Sequence, residues 1–310
     1  MKKLCIWLLL ITVLVATPIW LIGYAYRQTN TFKNLEQTEE TSKFHDVPDR
    51  IDVAVFGSSH ARDAFRIAPD GKTIFNFALS AQTPQYDLKM MKEYKDRFHS
   101  GTTVILTVNY LSPFWTDSQE AFDSKQPRYY RTLSPWNIID VDLPQYLLGN
   151  FSPVLTQDLS TITKALFADE ELLAPVDETH QTGADAMGSE KARIKRDHWS
   201  GIVEKNFPAT NTVMMESYRE MLRLCQENGW NAVLITTPYL AEYHECYPEA
   251  FYAEFQSIVV ALAKEFEVPY YDYSRDEAFF TRYDLFKNID HLNLSGGELF
   301  AKHLFAEIGL

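Results

Sequence analysis

The stretch IDVAVFGSSH, residues 51–60, decides the fold. Its first six residues are nearly all apolar, as expected for a strand that is covered on both faces of a parallel sheet. The small residues Gly57, Ser58 and Ser59 follow directly, and residues 61–65 (ARDAF) are compatible with a helix. The stretch therefore predicts a strand, a tight turn and a helix, which together form the first half of a βαβ unit.

The same alternation continues along most of the chain. Apolar runs predict strands over 51–56, 73–79, 103–108, 231–237 and 269–273, and amphipathic stretches predict helices over 85–98, 212–228, 250–266 and 295–308. Because strands that alternate with helices form parallel sheets, the expected fold class is α/β, with a five-stranded parallel sheet in a three-layer α/β/α sandwich. With 46% hydrophobic residues, the 310-residue chain can bury the core that this fold needs.

Residues 111–205 interrupt this alternation and predict an insertion into the α/β domain. The segment leaves from the carboxyl end of the third strand, where open α/β sheets bind ligands. It could therefore form a lid or a substrate-docking wall, or it could be a packed structural excursion. Its basic cluster, residues 191–196 (KARIKR), either meets an anionic polymer or lines a solvated helix face.

The N-terminus predicts a membrane anchor. After Lys2 and Lys3, residues 4–26 are apolar and uncharged, which is long enough to cross about 30 Å of hydrocarbon. The run is longer than the core of a cleavable signal peptide, and a wholly apolar chain start disfavours a buried core helix. The lysine pair outweighs Arg27, so the positive-inside rule predicts a single-pass protein of the cell membrane whose remainder is extracytoplasmic.

Three regions follow from these patterns. They are a transmembrane signal anchor over residues 1–27, a polar linker over 28–50 and an α/β domain over 51–310. Residues 28–47 are mostly polar and lack apolar periodicity, which is typical of a tether.

Charge and cysteine content limit the partners and cofactors. The chain has 29 basic and 42 acidic residues, a net charge of −13, and the part after residue 27 reaches −16. Such an acidic domain repels polyanions, so nucleic acid is not an expected partner. No compact metal-ligand spacing occurs, so neither a metal nor another cofactor is predicted. Cys225 and Cys246 could form a disulfide in an oxidising compartment or remain buried thiols.

Two residues that are far apart in the sequence form a candidate catalytic pair. Ser59 lies at the predicted turn between a strand and a helix, and His291 lies in the loop 288–293 (NIDHLN). The helix after this loop starts with the pattern of a capping box, Ser295 and Glu298. Because both loops open on the carboxyl edge of a doubly wound sheet, a serine nucleophile and its histidine general base can meet there.

These residues resemble the SGNH hydrolase family, which is named for a serine, a glycine, an asparagine and a histidine in four sequence blocks. Gly57-Ser58-Ser59 matches the first block, Gly-Asp-Ser, with Ser59 as the nucleophile. Ser58 replaces the aspartate, as in proteins that assist the D-alanylation of teichoic acids. In the second block, Ala81 or a neighbour stands where the family has a glycine whose backbone N–H serves the oxyanion hole. Asn109 matches the asparagine of the third block, which implies an oxyanion donor; a turn-capping asparagine is the alternative.

The fourth block of the family reads Asp-x-x-His, and this chain departs from it. Asn288 stands three residues before His291, and Asp290 stands directly before it. We favour Asn288 as the group that orients the imidazole through its side-chain oxygen. Asp290 is the main alternative, since it has the charge but neighbouring side chains of an extended loop diverge. His60 is expected on the helix surface rather than in the catalytic machinery.

The resemblance covers about residues 51–310 and implies a flavodoxin-like fold with serine esterase or O-acyltransferase activity. The oxyanion hole would consist of the backbone amides of Ser59 and Ala81 and the side chain of Asn109. Anchored members resemble accessory proteins that work beside membrane-bound O-acyltransferases on cell-surface polysaccharides or teichoic acids. The alternatives are a catalytically impaired binding or scaffold subunit of the same fold, and an unrelated α/β surface protein in which the motifs are coincidental.

Overall fold

The computed structural model describes residues 2–116, 126–174 and 184–310, which form two compact units. Unit 1 consists of Met1–Asp46 and Gln119–Pro175, and unit 2 of Val47–Ser118 and Val176–Leu310. The predicted insertion over residues 111–205 is therefore divided, because its middle part belongs with the N-terminal segment. The remainder belongs with the α/β unit.

The elements alternate much as the sequence predicts. The strands are β1 (Ile51–Phe56), β2 (Ile74–Asn76), β3 (Phe98–Thr107), β4 (Asn231–Thr236) and β5 (Tyr270–Asp272). The main helices are α1 (Lys2–Arg27), α2 (Asn30–Thr38), α3 (Ser59–Ala64), α4 (Pro84–Tyr94), α5 (Leu143–Phe151), α6 (Leu159–Phe167), α7 (Ala184–Ile194), α8 (Thr212–Asn228), α9 (Glu249–Phe266) and α10 (Leu294–Ile308). Shorter helical segments are Ser42–Asp46, Lys95–Arg97, Pro135–Asn137, Pro153–Leu155, Lys195–Val203, Glu204–Asn206, Ala241–His244 and Tyr283–Leu285.

Unit 2 contains the predicted five-stranded parallel sheet. Every strand pairs in parallel with its neighbours, and the order across the sheet is β2-β1-β3-β4-β5. The direction of strand addition reverses between β1 and β3, so the carboxyl ends of these strands border the crevice where doubly wound sheets bind ligands. Val53 and Val55 of β1 and Ile105 and Leu106 of β3 are fully buried. Each such side chain stabilises the fold by about 1.5–3 kcal/mol, which explains the continuous apolar runs.

Helix α1 contains the predicted anchor. Its segment Leu10–Arg27 has a mean hydropathy of 1.4, and 11% of that segment is buried. The helix is therefore long and apolar enough to span a membrane.

The polar segment 28–50 contains more regular structure than its composition led us to expect. Helix α2 begins behind the N-cap Thr29, whose side chain accepts a hydrogen bond from Phe32 N at 3.2 Å. Phe32 is buried in the small core of unit 1, together with Tyr26, Ile162 and Ala165. Since Ile162 and Ala165 come from a distant part of the sequence, the local pattern did not reveal this helix.

The last part of the predicted insertion packs onto unit 2. The ring of Trp199 meets the ring of Phe251 on α9 edge-on, with centroids 5.6 Å apart. The basic cluster is largely compensated here. Lys191 pairs with Glu245, Arg193 with Glu190 at 3.1 Å, and Arg196 with Asp197 at 2.8 Å.

Helix α10 begins one residue earlier than predicted, and its cap differs. Asn293 is the N-cap, because its Oδ1 accepts a hydrogen bond from Gly296 N at 2.9 Å. The predicted capping box at Ser295 is therefore wrong. Gly297, in the first turn of α10, packs against α3 so closely that a Cβ would lie 2.2 Å from the backbone oxygen of Asp63. This contact holds the start of α10 and the loop before it against the helix that begins at Ser59.

The substitution Gly297→Ala should therefore destabilise unit 2. The added methyl group collides with backbone oxygen, and such overpacking costs about 1–3 kcal/mol. Chemical denaturation of the full-length protein in detergent measures the change in the free energy of unfolding. The matched control is Gly188→Ala in α7, where a Cβ meets nothing within 4 Å and alanine favours the helix by about 1 kcal/mol. Equal stability of the Gly297→Ala variant and the unmodified protein would contradict this packing.

Candidate active site

The first strand ends in a turn that requires glycine. Gly57 has a φ of +143°, and a Cβ at this position would lie 1.7 Å from Thr107 Oγ1. The N–H of Gly57 donates to Asp87 Oδ1 at 2.9 Å, which fixes the turn from the side of α4. The chain then enters α3, whose first residue is Ser59. The structure thus places Ser59 where the sequence predicts it, at the carboxyl end of β1.

Asn288 shapes the loop that carries His291. Its Oδ1 accepts hydrogen bonds from the backbone N–H groups of Asp290 at 3.3 Å and His291 at 2.7 Å, which is an Asx turn. The N–H of Lys287 donates to the backbone oxygen of His291 at 3.0 Å and closes the loop. The backbone is therefore folded back, and the side chains of Asp290 and His291 do not diverge as they would in an extended segment.

Ser59 and His291 meet, although 232 positions separate them. His291 Nε2 lies 2.8 Å from Ser59 Oγ, within hydrogen-bond distance. Both side chains are partly exposed, with 17% exposure for that of His291. A ligand can thus approach the serine while the opposite side of the imidazole faces the protein interior.

The other ring nitrogen of His291 contacts both candidate orienting groups. Nδ1 lies 2.9 Å from Asp290 Oδ1 and 3.1 Å from Asn288 Oδ1. Since both oxygens are acceptors, the hydrogen belongs on Nδ1, and Nε2 is left to accept the proton of Ser59. Asp290 therefore reaches the imidazole, in contrast to the divergence that we expected from its position next to His291.

His60 is buried in the site, so the expectation of a surface residue is wrong. It is 8% exposed, and its ring stacks on that of His291 with centroids 4.4 Å apart and an angle of 10° between the planes. His60 Nε2 lies 3.4 Å from Asp290 Oδ2, so each oxygen of this carboxylate faces one imidazole. Burial lowers the pKa of His60, and the neighbouring His291 lowers it further.

Asp290 is 2% exposed and ionised. Burial alone would raise its pKa, but the imidazoles of His291 and His60 outweigh burial and hold the pKa well below its usual range. The residue is thus a buried carboxylate whose charge is balanced by hydrogen-bond donors on two sides.

Asn109 reaches the site through Ser58. Its Nδ2 donates to Ser58 Oγ at 3.0 Å, and Ser58 Oγ lies 3.2 Å from His60 Nδ1. Its Oδ1 accepts hydrogen bonds from the backbone of Leu111 at 2.9 Å and of Ser112 at 3.0 Å. The turn-capping role that the sequence left open is therefore present, and the side-chain amide points to Ser58, the residue before Ser59.

Ala81 occupies a conformation that suits the family's glycine. Its φ is +51°, and the turn is closed by a hydrogen bond from Gln82 N to Leu79 O at 3.1 Å. An alanine in the left-handed region is strained by about 1 kcal/mol relative to glycine. The backbone thus retains the glycine-like shape at this position although the side chain differs.

A buried ion pair joins α3 to the loop of His291. The carboxylate of Asp63 is fully buried and lies 2.8 Å from Arg62 Nε and 2.7 Å from Lys287 Nζ. Burial opposes its ionisation, but Arg62 and Lys287 hold the pKa of Asp63 below its usual range. No sequence pattern predicts this pairing, because Asp63 and Lys287 meet only in the folded chain.

His60, Asp290 and His291 are also the described residues whose ligand atoms could hold a metal ion, since these atoms lie within 4.8 Å of one another. Their spacing in the sequence does not suggest such a set. An ion here would have to replace the contacts that Asp290 makes with both imidazoles.

The thiols of Cys225 and Cys246 are free and buried, and burial raises their pKa values to about 12 and about 11. They are therefore poor nucleophiles.

The fold and site together define an α/β protein with a five-stranded parallel sheet and a serine–histidine–carboxylate constellation at the end of β1. No family model matches the sequence, and no curated protein matches it either.

Asp87 supports the nucleophile turn from α4 and is buried. Its Oδ1 accepts hydrogen bonds from Gly57 N at 2.9 Å and Gln82 Nε2 at 2.7 Å. Burial raises the pKa of Asp87 to about 7, although both hydrogen bonds favour the ionised form. Because the folded-state pKa lies above the unfolded value, Asp87 costs stability as the pH rises from about 4 through about 7.

The substitution Asp87→Asn should remove this cost and leave both hydrogen bonds in place. We expect the variant to be more stable than the unmodified protein above pH 7, by up to about 4 kcal/mol, with a smaller difference at pH 5. Urea denaturation of the two full-length proteins at pH 5 and pH 8 measures this difference in the free energy of unfolding. A difference that does not grow with pH would mean that Asp87 ionises normally in the folded protein.

Proposed function

We propose that this protein is a membrane-anchored SGNH-type serine esterase or O-acyltransferase. The observation that carries the proposal is the distance of 2.8 Å between Ser59 Oγ and His291 Nε2, with Asp290 behind the imidazole. A nucleophile, a base and an orienting acceptor in this arrangement are what acyl transfer requires. The parallel sheet in the order 2-1-3-4-5 supports a flavodoxin-like three-layer sandwich, the fold of this family.

In the proposed reaction, His291 takes the proton of Ser59 as the serine oxygen attacks an acyl ester. The leaving alcohol receives that proton from Nε2, and an acyl-serine remains. Water or a sugar hydroxyl then attacks the acyl-serine, with His291 again as the base. Asp290 holds the hydrogen on Nδ1 and stabilises the imidazolium that forms in each half of the reaction.

The negative charge that develops on the acyl oxygen needs donors close to Ser59. We assign this role to the backbone amides of Ser59 and Ala81 and to the side-chain amide of Asn109. An amide carries two hydrogens, and one of those on Asn109 is given to Ser58 Oγ. A single side-chain donor in such a hole is worth about 3–4 kcal/mol of transition-state stabilisation.

We place the reaction at the outer face of the cell membrane. Helix α1 would span the bilayer with its N-terminus in the cytoplasm, since Lys2 and Lys3 precede the apolar run. The substrates would be acyl esters of a cell-surface polysaccharide or teichoic acid, with a membrane-bound O-acyltransferase as a partner. This part of the proposal comes from the resemblance to anchored accessory proteins of that kind.

The second candidate function is a binding or scaffold subunit with an impaired catalytic site. Asn288 in place of the family's aspartate and Ala81 in place of its glycine favour it. The contact between Ser59 and His291 favours the enzyme, because a binding subunit does not need a histidine within hydrogen-bond distance of this serine.

A serine-reactive fluorophosphonate tests the two candidates. We expect the full-length protein in detergent to be labelled, and Ser59→Ala to abolish the label. His291→Ala should slow it by about a hundredfold or more, because the serine loses its base. Equal labelling of all three proteins would disprove the assignment of the nucleophile, and an unlabelled parent protein would favour the scaffold. Labelling should also survive a metal chelator, since no step uses an ion.

A second set of variants tests which group orients His291. Asp290→Asn should slow the labelling by roughly 10²- to 10⁴-fold, because the imidazolium loses its carboxylate. Asn288→Ala should cost about tenfold or less, since the backbone hydrogen bond from Lys287 to His291 keeps the loop folded and Asp290 on Nδ1. The control Glu277→Gln removes an exposed carboxylate of the same unit and should have no effect. A larger loss in Asn288→Ala than in Asp290→Asn would assign the orienting role to Asn288.

A further inference from the structure

Unit 1 exposes a set of apolar side chains. We call residues 143–167, from the start of α5 to the end of α6, the apolar hairpin. Its exposed apolar side chains, between 40% and 86% exposed, are Leu143, Leu147, Leu148, Phe151, Leu155, Leu159 and Phe167. Single exposed apolar residues are common on soluble proteins, but seven large ones within 25 residues mark a surface that is covered by something else.

Helix α5 does not turn its leucines toward the core of unit 1. Its polar residues Gln145, Tyr146 and Asn150 border an open cavity of about 270 Å³ in unit 1, and Gln145 and Asn150 are themselves exposed. Leu147 and Leu148 are exposed too, and none of the residues of α5 is buried. A helix on a soluble domain directs its apolar face to the core. Exposed leucines on such a helix suit apolar surroundings.

The apolar hairpin packs directly on helix α1. Ser152 Oγ donates a hydrogen bond to the backbone oxygen of Ile19 at 2.8 Å. Gly23 permits this approach, because a Cβ there would lie 2.1 Å from Ser152 Oγ. Ile162 of α6 is buried against Tyr26 in the core of unit 1. The contacts thus extend along α1 from Ile19 to Tyr26, which is the last part of the segment that can span a membrane.

These contacts set the depth of the apolar hairpin relative to α1. Ser152 lies beside Ile19 and Gly23, which precede Arg27 by eight and four residues, or about 12 Å and 6 Å along a helix axis. Half of a hydrocarbon core is about 15 Å thick. If Arg27 marks the membrane surface, Ser152 and the turn between α5 and α6 lie within the hydrocarbon of the adjacent leaflet.

We propose that the apolar hairpin inserts into the leaflet on the Arg27 side of the membrane, with lipid acyl chains covering its exposed leucines. The inserted part is residues 143–157 (LPQYLLGNFSPVLTQ), which contain no Asp, Glu, Lys or Arg and therefore favour hydrocarbon over a charged polymer as the occupant. The exposed Asp158 and Lys164, in the rest of the hairpin, stay outside the hydrocarbon. Unit 1 is then anchored by a spanning helix and by a monotopic element beside it. The inference rests on the anchoring role of α1 in the proposed function.

Quenching by lipid-borne nitroxide tests the insertion. The full-length protein with Cys5→Ser carries one added cysteine, labelled with the fluorophore NBD, in nanodiscs of phosphatidylcholine and phosphatidylglycerol. Cys225 and Cys246 can stay, because both are 1% exposed. The test variant is Leu147→Cys in α5. Val15→Cys in α1 is the membrane-depth control, and Val260→Cys in α9 of unit 2 is the exposed control; both positions are more than half exposed.

We expect nitroxide on the acyl chains to quench the probes at positions 147 and 15 by about twofold or more, and the probe at 260 much less, because quenching requires contact at acyl depth. If the probe at position 15 is quenched but the probe at 147 is quenched no more than the probe at 260, this inference is overturned and the anchoring role of α1 is kept. No quenching at 15 would overturn the anchor as well. Energy transfer between two labelled copies without lipid quenching at 147 would assign the surface to a second copy of the chain.

Discussion

The buried carboxylate of Asp290 is the constraint on which the site depends. An ionised carboxylate that is removed from water costs several kcal/mol unless donors surround it. Here one oxygen faces His291 and the other faces His60, and the two rings stack. The result is a continuous series of contacts from Asn109 through Ser58 and His60 to Asp290, and onward through His291 to Ser59. Because two acceptor oxygens lie against His291 Nδ1, the hydrogen belongs there, which leaves His291 Nε2 as an acceptor.

The series also gives a physical account of Ser58. A hydroxyl can accept from Asn109 Nδ2 and donate to His60 Nδ1 at the same time. A carboxylate at this position could accept but not donate, and it would place a second negative charge near Asp290. The serine is therefore compatible with a neutral His60, whose pKa burial lowers. Ser58, His60 and Asp290 are therefore coupled through these contacts.

The sequence predicts the sheet well and the site in part. The central strands of unit 2 are buried and apolar, so a local pattern predicts their positions, and β1 and α8 have the predicted bounds. The meeting of Ser59 and His291 follows from the topology alone. His60 could not be placed in this way, because its burial depends on α10 and its loop, which come more than 200 residues later. Asp290 reaches the imidazole because the loop is folded back, by the hydrogen bonds of Asn288 and by that from Lys287 N to His291 O, and the rule for extended chains gave the wrong geometry.

Charge bears on which polymer such a site would serve. The part of the chain after residue 27 has a net charge of −16, which repels an anionic teichoic acid unless a local basic surface compensates. The basic cluster was the candidate surface, but Lys191, Arg193 and Arg196 each lie against a carboxylate. The positive electrostatic potential of these three side chains is therefore weak beyond their own ion pairs, and salt at physiological concentration screens it over about 8–10 Å. Electrostatics thus favours a neutral glycan over a polyanion as the acceptor of the proposed acyl transfer.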